Sequence, residues 1–205
     1  MTVKIALLPV PAILLIALTA CSPGTGGGGG GDGDAIEGGS PTDCVTGLWD
    51  ADTADLGVQL GEYLVSKDIA IVSSTGAGSQ QLSLDEQGYA GWAAEGLQFV
   101  VVTAPTEGIV VTMTQTHTGT MRSDWGWDSD TVFGFTNITD EGYNVETVAD
   151  VNGTPTGQTI DLPLGGMSEV PITAECDGDT MITQAQGSPF TTTWHRIGES
   201  VVFGE

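Results

Sequence analysis

Three cysteines (Cys21, Cys44 and Cys176) and two histidines (His117 and His195) are the side chains of this 205-residue chain best suited to covalent or acid–base chemistry. The cysteines form no Cys-x-x-Cys, and the two histidines are too far apart for zinc-ligand spacing, so no metal or other cofactor is expected. A catalyst would need a nucleophile or a base with partners. The sequence holds no Gly-x-Ser-x-Gly, no His-Glu-x-x-His and no Walker segment. The glycines from Gly26 to Gly31 precede no strand-to-helix unit, so they make no phosphate cradle. His117 is the one candidate base. It alternates with threonines on the same side as Val111, Met113, Gln115 and Met121. It reads either as a ligand contact or as a satisfied interior histidine. His195 lies between Trp194 and Arg196, so it should point away from their face and be exposed. Trp125 and Trp127 share one strand face and read as a stacking platform or as core.

Charge narrows the partners. The chain carries 27 Asp and Glu against 4 Lys and Arg, a net charge of −23. Such a field repels phosphate backbones, which argues against nucleic acid, and it disfavours direct docking on anionic lipid. The acidic stretch Asp124 to Asp130 lacks the sixth-position glycine and the distal glutamate of a calcium loop.

The elements that position these groups are mostly strands. Val45 to Trp49 reads as a first strand. Leu56, Leu60, Tyr63 and Leu64 then share one helical face within Asp52 to Ser66, capped by Asp52 or Thr53, although Gly57 and Gly61 disfavour a helix. Strands are expected at 69–73, 80–85, 88–94 and 97–103, with turns at Thr75 to Gly78 and Ala94 to Gly96. A strand pair is expected over Gly108 to Trp127. Here Thr112, Thr114, Thr116, Thr118 and Thr120 share the outer face, and Val111, Met113, Gln115, His117 and Met121 face inward. Further strands follow at 131–136, 143–151, 170–176, 180–185 and 190–197, with a hairpin turn at Asp177-Gly178-Asp179. Many short strands and one helix predict an all-β fold.

The N-terminus carries Lys4, an apolar run from Ile5 to Thr19, and Leu18-Thr19-Ala20-Cys21. The run is short of the roughly 20 apolar residues of a spanning helix. It resembles a bacterial lipoprotein signal, which implies cleavage before Cys21 and a diacylglyceryl group on its sulfur. Two acyl chains suffice for stable anchoring to the cell membrane, or to the outer membrane of a cell with two. Residues 1–20 are then the signal, 21–43 the lipidated cysteine and a Gly-rich linker with a span of about 25 Å, and 44–205 the folded domain. With Cys21 assigned to lipid, Cys44 and Cys176 remain. In an oxidising compartment they form either a bridge, closing a loop of about 130 residues worth about 5 kcal/mol, or two separate buried thiols.

Two ends of the domain carry a second resemblance. Cys44-Val45-Thr46-Gly47-Leu48-Trp49 holds a Gly-x-Trp. Cys176-Asp177-Gly178-Asp179 and Trp194-His195-Arg196 stand near the end, and Leu84-Asp85-Glu86-Gln87-Gly88-Tyr89 forms a hairpin signal between. In order and spacing these are similar to the lipocalin-like domains of secreted bacterial lipoproteins. The resemblance implies a closed up-and-down antiparallel β-barrel of about eight to ten strands with one short helix after the first strand. It also implies that Arg196 packs on Trp49 to close one end. The function expected from it is non-enzymatic: a lipid-anchored envelope protein holding a small apolar or amphipathic ligand, with Val111, Met113, Gln115, His117, Met121, Trp125 and Trp127 as lining candidates. The alternatives are a structural or protein-interaction module with a filled barrel, and a hydrolase or isomerase centred on His117.

Overall fold

A computed structural model describes residues 44–157 and 162–203; the proposed signal, Cys21 and the glycine linker lie outside the described residues. The chain forms β1 (Gly47–Ala51), helix α1 (Thr53–Val65), β2 (Ile71–Leu84), β3 (Tyr89–Thr106), β4 (Ile109–Ser129), β5 (Val132–Val151), β6 (Thr154–Pro155), β7 (Ile172–Asp177), β8 (Thr180–Ala185) and β9 (Thr192–Gly198). Every pairing is antiparallel. β1 pairs with both β2 and β9, and β5 pairs with both β4 and β7, so eight strands close into a ring with β6 appended to β5. Closure removes the open edges that would otherwise pair with other chains. The ring is uneven. β2 to β5 are long, β7 to β9 are short, and the β5–β7 seam rests on the pairs Val132–Thr173 and Phe133–Ile172.

The expected all-β barrel is therefore present, but with fewer and longer strands than the turn signals suggested. The segments 69–73 and 80–85 fall on one strand, as do 88–94 with 97–103 and 131–136 with 143–151, and the stretch expected as a strand pair over Gly108 to Trp127 is, from Ile109 onward, the single strand β4. The turns expected at Thr75 to Gly78 and Ala94 to Gly96 are bulges, whereas the hairpin turn at Asp177-Gly178-Asp179 is present between β7 and β8. Register shifts fall at Ala77/Ser79 in β2 and Ala94/Leu97 in β3. Gly78 and Gly119 both have φ +88°, and a Cβ on either would collide with the carbonyl of Gly96 or Gly142 on the neighbouring strand. A row of such positions across four strands bends the long wall without breaking its ladder.

Helix α1 begins on Asp52, whose carboxylate accepts from the Asp55 N–H at 2.9 Å. Leu56, Leu60 and Leu64 are buried, as their spacing predicts. Gly57 and Gly61, unfavourable by propensity, form the contact stripe with β2. A Cβ on Gly57 would collide with the Gly76 backbone, and one on Gly61 would stand 2.9 Å from Ser74 Cβ. Tertiary packing here outweighs the cost of about 1 kcal/mol for a mid-helix glycine.

Two apolar clusters make up the core. One gathers Trp49, Leu84, Trp125, Phe133, Met181 and Trp194 inside the ring. The other lies beneath α1 around Leu60, Trp92, Leu97, Phe99, Met113 and Met121. Cys44 and Cys176 are bridged, with Cα atoms 6.1 Å apart, so the two thiols are not separate. The bridge ties the segment before β1 to the end of β7.

Candidate functional site

The barrel has one sealed end and one open end. At the sealed end Trp49 is fully buried and its indole N–H donates to the Val45 carbonyl at 2.7 Å. Arg196 stands opposite Trp49 in the β1–β9 register, with its Cζ 4.2 Å from the ring centroid. Its Nη2 donates to the Cys44 carbonyl at 2.7 Å and its Nη1 to that of Thr46. A Cβ on Gly47 would occupy the place of this guanidinium, which explains the glycine in Gly-x-Trp. The tail after β9 completes the seal, because the Ser83 hydroxyl exchanges hydrogen bonds of 2.7 Å with both the N–H and the carbonyl of Val201. The hairpin at Asp85 is held by its carboxylate, which accepts from the Gln87 and Tyr89 N–H groups. Its carbonyl accepts from Trp125 Nε1 at 3.0 Å.

The opposite end encloses a cavity of about 700 Å³. Strands supply Leu82, Trp92, Phe99, Phe133, Phe135, Ile172 and Trp194; α1 supplies Leu56 and Tyr63. The segments Pro163 to Ser168 and Gln186 to Phe190 form its rim. Gln59 fastens one rim to the helix: its Nε2 donates to the Thr191 carbonyl at 2.8 Å, and its Oε1 accepts from the Thr191 N–H at 2.9 Å. Tyr63 meets Phe190 edge-on at 5.4 Å between ring centroids. Leu162, Leu164 and Met167 anchor the other rim in the core.

His117 lies in the cavity wall and is 1% exposed. Gln115 Nε2 turns toward the Leu162 carbonyl at 3.5 Å, so its Oε1 faces His117 Nε2 at 3.1 Å. That oxygen can only accept, which puts the ring proton on Nε2 and leaves Nδ1 to accept from the Tyr143 hydroxyl at 2.7 Å. Burial lowers the His117 pKa to about 4. Burial, then the nearby Asp140 charge, raises that of Tyr143 to about 12. Both groups are neutral near pH 7. Both nitrogens of His117 are engaged, and neither partner is a carboxylate, so this arrangement serves as a satisfied polar contact in an apolar wall.

Of the seven lining candidates, His117 alone is among the residues that line this cavity. Val111, Met113, Gln115 and Met121 face inward with it but pack beneath or beside it, and Met121 reaches Gly166 of the rim. The expectation of a methionine lining is corrected: Met113 and Met121 are buried in the apolar cluster rather than facing the cavity. Trp125 and Trp127 stack edge-on with Phe133 and contribute to the barrel core rather than to a binding platform. Trp127 Nε1 is buried without a hydrogen-bond partner among the described residues. His195 is exposed, as its alternation with Trp194 predicts. The cavity residues that sequence reasoning missed are chiefly aromatic. Phe133, Phe135 and Trp194 were detectable as alternate positions on strands; Phe190 and the Pro163 to Ser168 rim carry no periodic signal. Among the described residues no group of three His, Cys, Asp or Glu side chains is placed to hold a metal ion, and no helix is long and apolar enough to cross a membrane.

No known protein family, curated protein or solved structure matches this chain.

Proposed function

We propose that this chain is a non-enzymatic, lipid-anchored protein of the cell envelope whose lipocalin-like barrel carries one small apolar molecule. The observation that carries the reading is the 700 Å³ cavity at one end of a barrel whose other end is packed. A cavity of this size is in the range that buries a small organic ligand, and apolar voids left unfilled cost stability. The same observation disfavours a filled interaction module. The His117 geometry gives no motive for a hydrolase or isomerase. Anchoring is inferred from Leu18-Thr19-Ala20-Cys21, and the Cys44–Cys176 bridge fits the oxidising compartment that such an export signal implies. A net charge of −23 leaves acyl chains, rather than the protein surface, as the means of holding a membrane.

The test is purification of the full chain from membranes followed by mass spectrometry of the intact protein and of its organic extract. The reading expects an acylated Cys21 and a stoichiometric apolar molecule. A Cys21→Ser variant that stays in the membrane fraction contradicts the anchor. A protein that carries no small molecule and takes up none contradicts the carrier.

A further inference from the structure

We infer that the cavity selects uncharged aromatic molecules and rejects anions and cations alike. This rests on the carrier reading above and adds to it the chemical class of the ligand. Among the described residues that line the cavity there is no Asp, Glu, Lys or Arg, although the chain as a whole is strongly charged. An ion entering the cavity would lose its hydration and meet no counter-charge, at a cost of several kcal/mol. The polar side chains of the wall, among them Gln80, Ser168, Gln186 and Thr192, are all uncharged, and the two most deeply placed are already bonded within it. Thr183 Oγ1 accepts from Trp194 Nε1 at 2.8 Å, and His117 is held between Tyr143 and Gln115.

Rings dominate the remainder. Trp92, Phe99, Phe133, Phe135, Phe190 and Trp194 all contribute to the wall. Edge-on and offset contacts to a ligand ring contribute about 0.5–1.5 kcal/mol each beyond area burial. Burial pushes His117 down to about 4, so positive charge is disfavoured there. Burial, with the nearby Asp140 charge, raises the pKa of Tyr143 behind it to about 12, so the pair stays neutral. The acidic exterior further opposes an anion. It attracts a cation only as far as the rim, because a cation–π contact of about 2 kcal/mol does not offset full desolvation.

The experiment uses the full chain carrying Cys21→Ser, so that no detergent competes for the probes. N-phenyl-1-naphthylamine is compared with 1-anilino-8-naphthalenesulfonate, which adds one negative charge. 1-Neopentylnaphthalene is compared with (1-naphthylmethyl)trimethylammonium, its positively charged isostere, by displacement of the first probe. The neutral member of each pair should bind at least tenfold more tightly. A charged member bound within tenfold of its neutral counterpart overturns this inference and leaves the carrier reading intact. If none of the four probes binds saturably, the carrier reading falls with it.

Discussion

The guanidinium of Arg196 lies 4.2 Å from the ring centroid of Trp49 and donates at 2.7 Å to the carbonyl of Cys44, 152 residues away. One side chain on the last strand thus covers the indole, satisfies backbone acceptors before the first strand, and supports the segment that carries the disulfide. It needs the space left by Gly47 and the register that sets Trp49 opposite Arg196. The sealed end of the barrel is built around this pair.

Removing Arg196 leaves the carbonyls of Cys44 and Thr46 without these donors and uncovers Trp49. Arg196→Ala should lower unfolding free energy by about 2–3 kcal/mol, from lost charge-assisted hydrogen bonds and the cation–π contact. Arg196→Lys should recover less than half, since an ammonium cannot fork to two carbonyls while lying flat on an indole. Urea unfolding of the three proteins decides this; equal midpoints for wild type and Arg196→Ala would contradict the assignment.

Gly57 tests the helix–sheet contact. In an exposed helix Gly→Ala stabilises by about 1 kcal/mol. Here the added methyl collides with the Gly76 backbone, so Gly57→Ala should destabilise by about 2 kcal/mol or more. Val58→Ala, at a position 55% exposed, should change stability by less than about 0.5 kcal/mol. Thermal unfolding in parallel gives the signs, and a stabilised Gly57→Ala would show that α1 does not sit on β2 in this way.

The Cys44–Cys176 bridge spans a sequence separation of 132 and joins the start of the domain to β7. A Cys44→Ser, Cys176→Ser double variant should lose about 2–5 kcal/mol. Reductant should lower the unfolding midpoint of the wild type and leave the double variant unchanged. Equal sensitivity of the two proteins to reductant would contradict the bridge.

His117 gives the pH dependence its sign. Its folded pKa, about 4, lies below the ordinary value of 6.5. Between these values the unfolded chain binds a proton that the folded chain does not, so its contribution to stability is complete above pH 6.5 and declines as pH falls toward 4. Relative to a His117→Gln variant, the wild type should lose roughly 1–3 kcal/mol across that window. Measured unfolding free energies at pH 7 and pH 4.5 check it; a difference independent of pH would mean that His117 is not buried neutral.

Much of this architecture was legible in the residues because local pattern and tertiary context agree. The 3.6-residue spacing of Leu56, Leu60 and Leu64 gave α1, and the threonine alternation gave the faces of β4. Gly-x-Trp with Trp-His-Arg gave the sealed end. Disagreement between local and tertiary demands hid the rest. Gly78 and Gly96 carry the composition of turns, yet the ladder continues through them because the neighbouring strands bulge in step. Met113 and Met121 point inward as expected, but they are taken up by the buried cluster, Met121 against Gly166 of the rim, and so do not face the cavity. The rim from Pro163 to Ser168 has no period at all, and its place over the cavity follows from where β5 and β7 part.

Ligand carriage requires the cavity to be a binding site, and saturable uptake measures that most directly. Titration of the Cys21→Ser chain with N-phenyl-1-naphthylamine should show one site per chain. Tryptophan fluorescence should fall as energy passes from Trp92 and Trp194 to the probe. Ala185→Trp and Leu164→Trp, each filling the cavity from a different wall, should weaken binding by at least tenfold while cooperative unfolding persists. Wild-type binding that does not saturate, or that both variants leave unchanged in folded protein, would contradict the claim that this barrel carries a ligand.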